Sequence, residues 1–74
     1  MDDWETIVDF TLVEDANAKW ELWLQSHDIS ELAATDILID TGSGEIGSHR
    51  RDVRRYRIRK SSIPKIKLKS SREH

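Results

Sequence analysis

Apolar and polar positions alternate along the first stretch of the chain, and the period then lengthens. In residues 3–13, Trp4, Thr6, Val8, Phe10 and Leu12 interleave with Glu5, Ile7, Asp9 and Thr11. Period two among β-branched and aromatic residues predicts a strand. A helix would also align Trp4, Ile7, Val8 and Leu12, but Thr, Ile and Val are poor helix formers. From Ala16 onward the apolar positions fall at Trp20, Trp23, Leu24 and His27. They form the stripe of a helix over about 16–27, with Asp15 as its N-cap. Residues 30–34 suit one more helical turn. Residues 35–40, TDILID, read as a short buried strand, and the following TGSGEIGSH holds all three glycines and reads as a mobile hairpin loop. Alternation returns in 52–60 and again in 65–69, with Ser61, Ser62, Ile63 and Pro64 as the turn between them.

These elements predict an α+β fold: one small domain over residues 1–69, in β-α-β-β order, ending in a basic C-terminal hairpin or arm. Residues 70–74 are expected to fray. The expected core is Trp4, Val8, Phe10, Leu12, Trp20, Trp23, Leu24, Ile37 and Ile39, with the two tryptophans on its helical side.

Length makes such a domain marginal. A chain of 74 residues buries only about 60% of its unfolded surface. Its hydrophobic share of 36% against 35% charged residues lies near the lower edge for a globular core. With no cysteine, disulfides and thiolate metal sites are excluded. No apolar run approaches the roughly 20 residues of a membrane span. The acidic start, Met1-Asp2-Asp3-Trp4-Glu5, is the opposite of a signal peptide's basic start. A cytoplasmic protein is the default expectation.

The net charge of -2 conceals a strong polarity. Residues 1–40 hold eleven acids against the single base Lys19, and residues 41–74 hold eleven bases against Glu45, Asp52 and Glu73. An acidic half over 1–40 and a basic half over 41–69 suggest either a basic arm for an anionic partner or two halves that attract each other.

Three short motifs carry a catalytic or recognition look. Ile37-Leu38-Ile39-Asp40-Thr41-Gly42-Ser43 resembles the active-site signature of aspartic proteases, in which the Asp is one of two carboxylates that share a proton and activate water. The resemblance covers about seven residues. The arginine-rich stretch that follows stands where such a protease needs apolar sheet. Gly42-Ser43-Gly44-Glu45-Ile46-Gly47 fits G-x-G-x-x-G after a strand, but residues 48–55 offer no amphipathic helix to aim at a pyrophosphate. It is also similar to the glycine-rich loop of protein kinases, whose catalytic loop and Asp-Phe-Gly are missing here. Residues 25–30 resemble a helix-turn-helix turn, yet the would-be recognition segment 30–36 holds two acids and no base and would repel phosphate. Asp36, Asp40 and Glu45 lack calcium-loop spacing. No enzyme, metal or cofactor is expected.

The basic half carries the most information. In extended backbone, Arg55, Arg57 and Arg59 share one face, and Lys65, Lys67 and Lys69 share one face of the next segment. Paired as a hairpin, these six cations would form one surface over an apolar underside. Like charges opposite one another are destabilising, so the arrangement suits an anion seated there. Arginine forks fit phosphate oxygens, and Tyr56 would stack on a base if it reached the surface. The expected nucleic-acid-binding set is Arg50, Arg51, Arg54, Arg55, Tyr56, Arg57, Arg59, Lys60, Lys65, Lys67 and Lys69. The leading expectation is a small non-enzymatic accessory protein that contacts DNA or RNA backbone. The alternative is a protein-protein regulator or inhibitor that uses the acidic, Trp-bearing half as a nucleic-acid charge mimic. A third is head-to-tail self-association, acidic half to basic half.

Overall fold

The computed structural model describes residues 2–69. Strand β1 (Trp4–Leu12) runs directly into helix α1 (Val13–Ser26), which ends in the two-residue strand β2 (His27–Asp28). A 3-10 turn (Ala34–Asp36) leads into β3 (Ile37–Ile46), which hairpins into β4 (His49–Arg59). A second 3-10 segment (Lys60–Lys65) and β5 (Lys67–Leu68) complete the order. The fold is α+β. An antiparallel sheet of order β1-β4-β3 carries α1 on one face, and β2 pairs with β5 in a small ladder of its own. Among the described residues no helix is long and apolar enough to cross a membrane.

The basic strand lies at the centre of the sheet. Tyr56 and Ile58 of β4 are 4% and 0% exposed, and they join Val8 and Ala16 as the buried hydrophobic residues. Tyr56 begins a column of four rings. Trp20 stacks on it at 4.7 Å, Trp23 on Trp20 at 5.2 Å, and His27 on Trp23 at 4.1 Å. Helical spacing therefore places Ala16, Trp20 and Trp23 toward the sheet as expected, with Tyr56 as their partner across the core.

Parts of the expected core fail for two reasons, register and edge position. Simple alternation gives Trp4, Val8, Phe10 and Leu12 a common face, but β1 shifts register against β4 between Thr6 and Val8 and again between Val8 and Thr11. A shift of one residue turns side chains to the other face. Val8 thus meets Tyr56 beneath the helix, while Trp4 and Leu12 lie opposite Arg59 and Val53 on the other side. Phe10 is 45% exposed there, its ring under the Arg55 guanidinium. Ile39 is 50% exposed because β3 lies at the sheet edge, past α1, which packs on β1 and β4.

Element boundaries move as well. α1 starts at Val13 with no side-chain cap, so Asp15 stands with Glu14 in the first turn and not at the N-cap. There their charges oppose the positive end of the helix dipole. The glycine-rich segment is not a loop. β3 continues through Gly42 and Gly44 to Ile46, paired throughout with β4, and only Gly47 and Ser48 make the turn. Gly47 has φ of 67° and Ser48 has no positive φ, the pattern of a II′ hairpin, which favours glycine first.

The basic C-terminal segment forms an arm, and the β4–β5 hairpin is absent. The strand-to-turn junction is held by the Lys60 amide donating to the Asp3 carbonyl at 2.7 Å. β5 then crosses to the end of α1, pairing Leu68 with His27 and Lys67 with Asp28. Residues 70–74, expected to fray, lie outside the described residues.

The burial pattern predicts an ordering of two aliphatic truncations. Ile58→Ala removes a fully buried side chain and should cost about 2–5 kcal/mol, against a total of about 3–5 kcal/mol for so small a core. Leu22→Ala, at a position 64% exposed, should change stability by no more than about 0.5 kcal/mol. Urea unfolding of both variants checks this; equal losses would contradict a central β4.

Candidate functional site

One face of the sheet has no helix over it. Cross-strand partners share a face, so the register assigns to it Arg55, Arg57 and Arg59 from β4, Trp4 and Thr6 from β1, and Leu38 and Asp40 from β3. The register shifts in β1 add Phe10, and the result is a surface of guanidinium groups set among aromatic rings. The Arg55 guanidinium lies 4.6 Å from the Phe10 ring centre, and that of Arg59 4.7 Å from the Trp4 ring centre. Arg57 sits 6.0 Å from Trp4. Such contacts hold the guanidinium planes near the rings they cover.

Two carboxylates are built into this face. Oδ2 of Asp40 accepts from Arg55 Nε at 2.9 Å and lies 2.8 Å from a terminal nitrogen of both Arg55 and Arg57. Arg59 reaches Asp36 Oδ1 at 3.3 Å and donates to the Thr35 carbonyl at 3.0 Å. The Ala33 amide donates to the Asp36 carboxylate at 2.9 Å and holds its pKa below the usual aspartate range, with Ser62 and Arg59 adding to the effect. The Asp of the protease-like motif is thus the anchor of an arginine pair. Arg57 Nε is buried without an acceptor, a cost the three-centre arrangement around Asp40 leaves in place.

The expected basic set separates into groups. Arg55, Arg57 and Arg59 share the open face. Arg54 faces the helix, donating to Asn17 Oδ1 at 2.9 Å, and the Tyr56 hydroxyl donates to the same oxygen at 2.6 Å. Tyr56 is therefore a core residue with its ring between strand and helix, and its condition for stacking on a base is unmet. Arg50 and Arg51 lie at the exposed end of the β3–β4 hairpin, where Arg51 approaches Glu14 at 4.0 Å. Lys60, Lys65, Lys67 and Lys69 belong to the arm and do not extend the arginine row. Lys67 bonds Glu31 at 2.7 Å, and that carboxylate raises its pKa. The surface of six cations does not form, because β5 pairs with β2 and not with β4.

Sequence periodicity missed Trp4, Phe10 and Asn17 as partners of the arginines. No local signal marks them, since each meets its arginine through register across the sheet or helix packing. On the helix side, a cleft of about 330 Å³ lies where the arm meets the end of α1, with Trp23, His27, Ile66 and Leu68 among its walls and Glu5 at its edge. Among the described residues, no three His, Asp or Glu side chains converge as a metal site.

The shared acceptor predicts a specific sensitivity. Asp40→Asn keeps the shape but withdraws the charge from two arginines that are each less than one-third exposed. The expected loss is about 1.5–3 kcal/mol, measured by urea unfolding. A change below about 0.5 kcal/mol would show that solvent, and not Asp40, satisfies the pair.

No family model matches this chain, and neither a curated protein nor a solved structure matches it.

Proposed function

We propose that this chain is a small non-enzymatic binding protein whose open sheet face meets single-stranded nucleic acid. One observation supports the reading above the rest: Arg55, Arg57 and Arg59 alternate with Trp4 and Phe10 on a sheet face that α1 leaves uncovered. Aromatic rings and guanidinium planes both stack on bases whatever their sequence, and guanidinium forks also suit phosphate. A duplex is the less favoured ligand, since stacking on side chains needs bases that are unpaired and splayed out.

The internal carboxylates shape the expected binding. Asp40 and Asp36 already neutralise much of the arginine charge. Stacking then carries more of the affinity than counterion release does. Arg50 and Arg51 at the hairpin end are the bases placed to meet the backbone of a strand leaving the face.

A second reading, a protein-protein regulator, is favoured by the outer side of α1. Leu22 is 64% exposed there, on a helix whose exposed residues include Glu14, Asp15 and Glu21. An acidic helix with one apolar residue suits a basic protein groove. Trp20 and Trp23 take no part in it, since they stack inward.

Fluorescence anisotropy with a labelled oligopyrimidine tests the first reading. Binding should weaken with salt with a log–log slope of only about -1 to -2, at about -0.7 per neutralised phosphate of a single strand. Phe10→Ala should lower affinity by a factor equivalent to about 1–3 kcal/mol with the helix signal in circular dichroism unchanged. Loss of binding on Leu22→Asp with Phe10→Ala silent would favour the protein-partner reading, and no binding at low salt would sink the first.

A further inference from the structure

The two edges of the sheet are unlike. β1 carries two register shifts against β4 and exposes Glu5 and Asp9 along its length. Irregular, charged edges of this kind resist pairing with another strand. β3 has neither protection. It is paired with β4 at ten successive positions without a register shift. It contains no proline or lysine, and from Ile37 to Gly44 its only charged residue is Asp40, bound to Arg55 and Arg57. Ile39, half exposed, stands on the helix side, where α1 does not reach.

We infer that the free edge of β3 pairs antiparallel with β3 of a second copy of this chain, joining two three-stranded sheets into one of six strands. A second copy fits the edge better than a strand of either charge. A two-fold axis at Thr41 sets Thr41 against Thr41, Asp40 against Gly42, Ile39 against Ser43, and Glu45 against Ile37. No like charges then face each other, and a Thr–Thr pair is favourable. An axis at Asp40 would oppose two aspartates and is excluded on the same ground. Pairing shields Ile39 of both copies on the helix side and leaves both arginine faces open on the other. The symmetry is isologous. It differs from a head-to-tail join of acidic half to basic half, in which two different surfaces of the chain would meet.

The chain has no cysteine, so one introduced thiol reports the axis. Directly opposite residues in an antiparallel pair have Cα atoms about 4.5–5.5 Å apart, inside the range that a disulfide spans. Thr41→Cys should form a disulfide-linked dimer under mild oxidation, whereas Thr6→Cys, on β1, should stay mainly monomeric. Sedimentation of the unaltered protein should show a dimer, and Thr41→Lys should sediment as a monomer with the same circular dichroism spectrum. A monomer at every concentration, or equal crosslinking of the two cysteine variants, overturns the inference. If Thr41→Lys unfolds, the crosslinking contrast still decides.

Discussion

Arg55 and Arg57 share one carboxylate oxygen, Oδ2 of Asp40, and that shared acceptor lets an arginine-rich strand occupy the middle of a sheet. A central strand is normally apolar on its covered face and shielded by neighbours on both sides. β4 meets this demand with Tyr56 and Ile58 beneath the helix, but its alternate positions are arginines. Cations two residues apart on one strand face repel, and withdrawing them from water raises the cost. Asp40 stands directly across the ladder from Arg55, and Asp36 of the turn before β3 reaches Arg59; together they offset that cost.

The charge polarity of the chain thereby becomes a folding constraint. All five ion pairs among the described residues join an acid of the first forty residues to a base beyond residue 50. They differ in weight. Arg51–Glu14 and Lys67–Glu31 are exposed and worth little, whereas the Asp40 pairs lie under less than one-third exposure and link β3 to the strand that organises everything else. The same pairs explain why the open face is not strongly cationic. Its chemistry is that of stacked guanidinium and aromatic groups with modest net charge, which is why the proposed ligand is one recognised by stacking.

Much of this architecture was legible in the sequence. Alternation located β1 and β4, the Ala16–Trp20–Trp23 spacing located the inward side of α1, and the alternation of Arg55, Arg57 and Arg59 placed them on one face. What failed was non-local. Two register shifts in β1 split Val8 from Phe10, and no residue type announces them. The partner of β4 was also hidden: a lysine-bearing segment follows it closely, yet the acid-bearing β3 outcompetes that segment for pairing, since it brings opposite charge instead of like. The glycines of 42–47 suggested a loop because glycine weakens strands, but pairing with β4 holds them extended up to Gly47.

The central claim is that β4 is a neutralised core strand before any partner arrives. Amide hydrogen exchange of the free protein tests it most directly. The account predicts that residues 53–59 are protected as strongly as residues 16–26 of α1, without ligand and at moderate salt. Rapid exchange throughout 53–59 alongside a protected helix would contradict it, because the arginine strand would then be an arm awaiting an anion and not the centre of the sheet.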